Sequence, residues 1–317
     1  TPPQTPPPDP TRKGLLQWAR ASLEAAGREA PHRTATWLLV DVLSCRRVDL
    51  HRNPDAGVEP RDAETYQTLV RRCAEGEPLQ HVLGHDEFYR LSLRITPDVL
   101  IPRPETEEVV ERTLDLLASV NTPRVLDVGT GSGCIALALA DQRPDATVFA
   151  CDVSPAALDV ARENGERLSL PVTWFEGDLL ASDFVETAEQ AGADALDVVI
   201  SNPPYIPDAE AASLPDVVRD YDPPTALFAG EDPLRFYRRL AAVGRDLCRP
   251  GGLLVTETHA DFAEGVGDVF REAGWREVHV ETDLADRPRI AWGRWGHADG
   301  TGENRKADED GKGQRTA

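Results

Sequence analysis

Along residues 11–84 the apolar side chains return every three or four positions. In LLQWARASLEAAG, Leu15, Trp18, Ala19 and Leu23 share one face, and Gly27 is placed to end a helix. TATWLLVDVLSC and AETYQTLVRRC give two more amphipathic helices, separated by the breakers HRNPDAGVEP. Short connections between such runs predict a small helical bundle. The period then changes. Phe88 to Ile95 alternates as a strand or hairpin does, Pro102 and Pro104 stiffen the next loop, and Thr106 is placed to N-cap the helix that follows. From Pro123 onward the text is strand, then helix, repeated. RVLDV, TVFAC, VTWF, LDVVI, GLLVTE, EVHVET and RIAWGRW read as strands. The first five alternate with Ala/Leu-rich helical segments, which predicts parallel strands with helices on both faces. The last two are joined by a short loop containing Asp286 and Pro288 and predict a hairpin, so one strand near the sheet edge runs antiparallel.

Composition narrows the setting. The 317 residues suffice for one large domain and a small one. A formal charge of −21 opposes encounter with nucleic-acid phosphates and anionic membranes, and no dense Lys/Arg run offers a local exception. The five cysteines are odd in number and widely spaced without a Cys-x-x-Cys pair, so neither a disulfide framework nor a metal site is expected, and a reducing cytoplasm fits best. No apolar run approaches membrane-spanning length. Six of the first ten residues are proline, and the stretch after Trp295 is polar and glycine-rich. Both ends are therefore expected to be disordered.

Candidate chemistry begins at VLDVGTGSGCIALALA, a strand, a tight glycine loop and a helix. Gly129, Gly131 and Gly133 let the backbone turn sharply and approach a ligand at the carboxyl end of the strand. A dinucleotide fingerprint needs glycine or alanine where Cys134 stands, and no Gly-Lys-Ser/Thr follows for a Walker loop. The Gly-x-Gly-x-Gly spacing resembles instead the S-adenosylmethionine (AdoMet) loop of methyltransferases, whose parallel sheet is likewise closed by a terminal hairpin. Asp152 ends the second strand, where a carboxylate can accept from both ribose hydroxyls. Asp178 lies beyond the third, suited to accept from an adenine amino group. Any one aspartate there could merely cap a helix. Three such positions on successive strands point to one ligand.

The fourth strand delivers Asn202-Pro203-Pro204-Tyr205. A planar amide or nucleobase nitrogen is a poor nucleophile because its lone pair is delocalised. Accepting hydrogen bonds from both of its N–H groups, by the Asn202 side-chain oxygen and the Pro203 carbonyl, would align it with a methyl donor. Tyr205 can stack on the flat group and support the charge that builds on nitrogen. Proximity would then supply most of the rate without a general base. The tetrapeptide is shared by methyltransferases of adenine or cytosine amines and of glutamine amides, and does not choose among them.

The segment RRCAEGEPLQHVLGHDEFYRLSLRITPDVLIPRPETE, with DVGTGSGCIALALA, NPPYI and Asp222-Pro223-Pro224-Thr225-Ala226-Leu227, closely resembles the HemK/PrmC family of protein-(glutamine-N5) methyltransferases, which modify class 1 peptide chain release factors. The resemblance spans roughly Leu15 to Trp295. It implies a Rossmann-like class I AdoMet-dependent methyltransferase domain with a seven-stranded, mostly parallel sheet and antiparallel last strand. That domain would follow a helical-bundle domain and a connecting β-hairpin. The expected division is 1–11 disordered arm, 12–84 helical substrate-recognition domain, 85–105 hairpin and linker, 106–295 catalytic domain and 296–317 tail. Carried over by residue, AdoMet contacts fall on Asp127, Gly129, Thr130, Gly131, Gly133, Asp152, Val153, Asp178, Leu179 and Asn202. Substrate contacts fall on Arg103, Glu105, Asn202, Pro203, Pro204 and Tyr205, with Asn202, Pro203 and Tyr205 as the catalytic groups. The implied partner is a release factor, approached by a cytoplasmic monomer that binds neither nucleic acid nor membrane.

Several positions depart from the family pattern. His81 replaces a tyrosine, Arg90 stands at a common hairpin glycine, Ala229 and Pro233 replace glycines, and His259 is new after the fifth strand. None removes a proposed catalytic group. A related enzyme acting on another protein glutamine, or on a small amide or amine, stays open at this stage.

Overall fold

In a computed structural model, residues 10–296 are described. The expected disorder of the ends lies outside them for 1–9 and 297–317. Thr11, placed by the sequence in the arm, is part of the fold. Its hydroxyl accepts from the Gly14 amide at 3.1 Å and its backbone bridges Gly57, so it N-caps the first helix.

Five helices form the N-terminal unit: α1 (Arg12–Ala25), α2 (Pro31–Val42), α3 (Arg47–Arg52), α4 (Pro60–Glu75) and α5 (Leu79–Leu83). The apolar stripes of the three long ones close a core around Leu15, Trp18, Leu38, Leu39, Tyr66 and Val70. The buried Tyr66 hydroxyl donates to the Ala35 carbonyl at 2.9 Å, which satisfies the one polar atom of that ring. The short α3 and α5 were not legible as helices. The first is held by a reciprocal Arg46/Asp49 capping arrangement, and the second stops at Gly84, φ 77°.

The strands β1 (His85–Phe88) and β2 (Leu91–Arg94) form an antiparallel hairpin. Its two turn residues, Tyr89 and Arg90, both take left-handed φ values of 49° and 68°. That is the two-residue geometry glycine usually serves, and Arg90 adopts it without being one. After the linker comes α6 (Pro104–Leu116). Thr106 does not cap it. Pro104 occupies the first turn and Arg103 is the cap residue, so Thr106 falls inside the helix with its hydroxyl turned toward the core.

The catalytic unit continues as β3 (Arg124–Val128), α7 (Cys134–Gln142), β4 (Thr147–Asp152), α8 (Pro155–Leu168), β5 (Thr173–Glu176), α9 (Phe184–Gln190) and β6 (Leu196–Ser201). An excursion follows: β7 (Ile206–Pro207), α10 (Asp216–Tyr221), α11 (Pro224–Leu227) and β8 (Phe228–Gly230). The chain closes with α12 (Arg235–Leu247), β9 (Cys248–Glu257), α13 (Ala263–Glu272), β10 (Arg276–Thr282) and β11 (Pro288–Arg294). The seven-stranded sheet has the order β10-β11-β9-β6-β3-β4-β5, parallel except that β11 runs antiparallel to both neighbours. This is the expected class I methyltransferase sheet. Every residue of β6 is buried, as a strand covered on both faces requires.

Strand order reverses beside β3, with β4 on one side and β6 on the other. A crevice therefore opens at the carboxyl ends of these strands, where doubly wound sheets bind ligands. Two side chains pin the crevice rim. Ser201 Oγ donates to the Val128 carbonyl at 2.7 Å, tying the ends of β6 and β3. Asn164 on α8, fully buried, accepts from the Arg94 amide at 2.6 Å and donates to the carbonyls of Arg94 and Ser132 at 3.1 and 3.0 Å. One carboxamide thus joins the hairpin to the glycine loop.

Candidate active site

The loop after β3 is built for close approach. Gly129, Gly131 and Gly133 have φ values of 75°, 55° and 83°, which favour glycine at each position. The amides of Gly129 and Thr130 both donate to the Cys151 carbonyl at 2.9 Å, folding the loop over β4. A Cβ added at Gly129 or Gly131 would meet no atom within 4 Å, and both residues line a cavity of about 310 Å³. Side chains there would project into space a ligand needs. Gly133 differs: its Cβ would meet Trp174, Ala161 and Leu137 at 3.1 to 3.2 Å, so its role is helix packing.

The same cavity is lined by Asp152, Val153, Asp178, Leu179, Asn202, Pro203 and Pro204. Asp152 is held in place by the Gly131 amide on Oδ2 and the Ser154 amide on Oδ1, each at 2.9 Å. Burial raises its pKa, while these amides favour the carboxylate. Asp178 Oδ1 accepts from the Leu180 amide at 2.9 Å. Besides Gly133, two expected contacts do not line the cavity, Asp127 and Thr130. Asp127 is fully buried beneath the loop and its Oδ2 accepts from the Thr130 hydroxyl at 2.6 Å, so the pair shapes the loop from within. Burial pushes the Asp127 carboxyl up to about 7.

A second cavity of about 240 Å³ shares Leu100, Asn202 and Ala226 with the first. Its other walls include Arg103, Glu105, Tyr205, Glu257 and Arg289. Asn202 therefore sits in the partition between a glycine-lined pocket and a smaller polar one. Its Nδ2 donates to Thr106 Oγ1 at 3.3 Å, and that hydroxyl donates to Glu257 Oε2 at 2.6 Å. The Tyr205 hydroxyl donates to Glu257 Oε1 at 3.3 Å, and burial raises the phenol's pKa, keeping it neutral. The Tyr205 ring lies 5.8 Å from that of His259. Arg103 pairs with the buried Asp222 at 2.7 Å, which gives the acidic residue of the DPPTAL segment its partner. Sequence reasoning missed Glu257, Thr106 and Arg289 as site residues. For Glu257 the available signal was a carboxylate ending an apolar strand, the same signal that singled out Asp152; Thr106 and Arg289 gave none.

Residues 14–84 match the PrmC N-terminal domain, and residues 110–218 the methyltransferase small domain. The chain is 39% identical over 286 residues to the release factor glutamine methyltransferase of Geobacter sulfurreducens, covering 90% of this chain and 97% of that protein. It is 42% identical over 282 residues to that of Moorella thermoacetica, covering 88% and 96%. The chain belongs to the release factor glutamine methyltransferase family. The hMettl16 catalytic domain, solved with the MAT2A 3'UTR hairpin 6, shares the fold at 17% identity and TM-score 0.51, covering 78% of this chain and 86% of that one. Family membership makes AdoMet the cofactor. The site fits it: two glycines whose missing side chains leave the pocket open, a carboxylate fixed at the end of β4, and a second beyond β5. Among the described residues, no helix is long and apolar enough to cross a membrane.

Proposed function

We propose that this protein methylates the side-chain nitrogen of the glutamine in the Gly-Gly-Gln motif of a class 1 release factor. The single observation that carries the reading is Asn202, shared by the glycine-lined cavity and the smaller polar one. AdoMet, when bound, supplies a methyl group made electrophilic by the sulfonium. Gly129 and Gly131 would leave it room, Asp152 would accept from its ribose, and Asp178 would accept from its adenine amine. Asn202 Oδ1 and the Pro203 carbonyl accept from the two N–H groups of the glutamine amide and hold its nitrogen in line. Tyr205 covers the amide plane. Transfer would form the N–CH3 bond as the sulfonium S–CH3 bond breaks and the neutral thioether leaves. The nitrogen then loses its extra proton to water, so pre-organisation by the two prolines lowers the barrier through orientation with no side chain needed to remove a proton beforehand.

The polar cavity favours an amide over a nucleic-acid substrate. Its wall carries two carboxylates, Glu105 and Glu257, and its two arginines face aspartates, Arg103 at 2.7 Å from Asp222 and Arg289 at 3.6 Å from Asp283. With a formal charge of −21, this offers phosphates little. We read the protein as a cytoplasmic monomer that meets its release factor through the N-terminal helices.

Incubation with methyl-labelled AdoMet and purified release factor tests the assignment, beside a factor whose tip glutamine is replaced. Label is expected in the first alone; equal labelling of both overturns the site. In calorimetric titration, Asp152→Ala is expected to weaken AdoMet binding about tenfold to a hundredfold, the loss of hydrogen bonds to a charged acceptor. An unchanged affinity would remove Asp152 from the cofactor site.

A further inference from the structure

We infer that Glu257, acting through the Thr106 hydroxyl, fixes the Asn202 carboxamide with its oxygen toward the acceptor cavity, and is thus a positioning residue for methyl transfer. The inference deepens the function proposed above and rests on it.

Hydrogen-bond direction makes the argument. An ionised carboxylate only accepts, an amide NH2 only donates, and a hydroxyl has one proton to give. At 2.6 Å from Glu257 Oε2, the Thr106 proton is committed to the carboxylate. Thr106 Oγ1 then has only lone pairs left for Asn202, 3.3 Å away, so the amide must present its NH2. A flipped Asn202 would set two acceptors against each other with no hydrogen between them. Its oxygen therefore faces away from Thr106, free to accept from a substrate N–H. Glu257 Oε1 takes the Tyr205 hydroxyl at 3.3 Å. Both polar side chains of the Asn-Pro-Pro-Tyr turn are thereby referred to one carboxylate, joined to α6 across 151 positions of sequence.

Burial sharpens the point. Glu257 is 2% exposed and follows Leu253, Leu254 and Val255 on β9, where an acidic group is costly unless its partners are in place. Loss of its charge would free the proton arrangement: a protonated Glu257 can donate, Thr106 can turn its hydroxyl to the amide, and the flip is no longer opposed. The groups facing it are Glu105 and Thr106 from α6, Tyr205 after β6, Arg289 from β11 and the Cys134 thiol at the start of α7. The Tyr237 hydroxyl from α12 binds its main-chain oxygen at 3.1 Å. Burial raises the Glu257 pKa most, Thr106 and Arg289 oppose that rise, and Glu105 adds to it. The ionised, orienting form is present above this raised pKa and is lost as pH falls through it.

The test compares wild type with Thr106→Val, Thr106→Ser and Glu257→Gln. Thr106→Val and Glu257→Gln are expected to lower kcat toward release factor about tenfold or more, with KM and AdoMet affinity within about threefold, while Thr106→Ser recovers most of kcat. The acid limb of the wild-type kcat profile should flatten in Glu257→Gln. An acceptor-independent arm reads the amide directly. The chain has five asparagines, so selective 15N-asparagine labelling resolves the Asn202 NH2. Its protons should exchange slowly with water in wild type and Thr106→Ser, and at least about fivefold faster in Thr106→Val. Equal exchange in these three proteins overturns the inference whatever the acceptor proves to be. Unchanged kcat in both Thr106→Val and Glu257→Gln, with wild type active on release factor, overturns it while leaving the proposed function standing.

Discussion

Asn202→Ala is expected to lower kcat by about a hundredfold to a thousandfold, the loss seen when one pre-organised polar group that acts on the transition state is removed. AdoMet affinity should stay within about twofold, because the glycine loop, Asp152 and Asp178 remain to hold the cofactor. Two measurements separate the effects: single-turnover methyl transfer to release factor, and calorimetric titration of AdoMet without acceptor. The variant keeps Pro203, Pro204 and Tyr205, so any loss reports the carboxamide alone. A variant that binds AdoMet poorly but turns over normally at saturation would reverse the division of labour between the two cavities.

Trp275→Ala is expected to cost roughly 3–5 kcal/mol of stability, the usual range for emptying a buried aromatic site. The ring is 2% exposed, its Nε1 donates to the Ala241 carbonyl at 3.0 Å, and it meets Phe270 and Trp295 at centroid distances of 6.5 and 5.8 Å. The fit is tight, since a Cβ at Gly244 would come within 2.9 Å of this indole. Alanine there removes the packing and the indole hydrogen bond to the Ala241 carbonyl. Urea unfolding followed by circular dichroism measures the shift. A loss under about 1 kcal/mol would mean that the surrounding helices close over the vacancy.

The catalytic sheet was legible because buried parallel strands are written as unbroken apolar runs. RVLDV, TVFAC and LDVVI correspond to β3, β4 and β6 within a residue. The loop glycines, Asp152, Asp178 and Asn202 were legible because each follows a strand at a fixed short distance, so local pattern alone places them at the crevice. What was missed depends on long-range contact. Thr106 looks like a helix cap in sequence, yet Pro104 starts the helix earlier and the hydroxyl turns to Glu257. Asn164 reads as an ordinary helix residue, and its three backbone partners come from segments 32 and 70 positions away. Asp127 and Thr130 carry the motif's residue types, but which face of the loop a side chain takes is decided by packing, and they point inward.

The place of β11 has a consequence for biosynthesis. This strand is the last of the seven to leave the ribosome, yet it lies between β9 and β10 instead of at the rim. Until it emerges, β9 carries an open row of amides and carbonyls along one side, and β10 has no neighbour in the sheet. The nascent chain must shelter that adhesive border from other polypeptides until translation of this segment is complete.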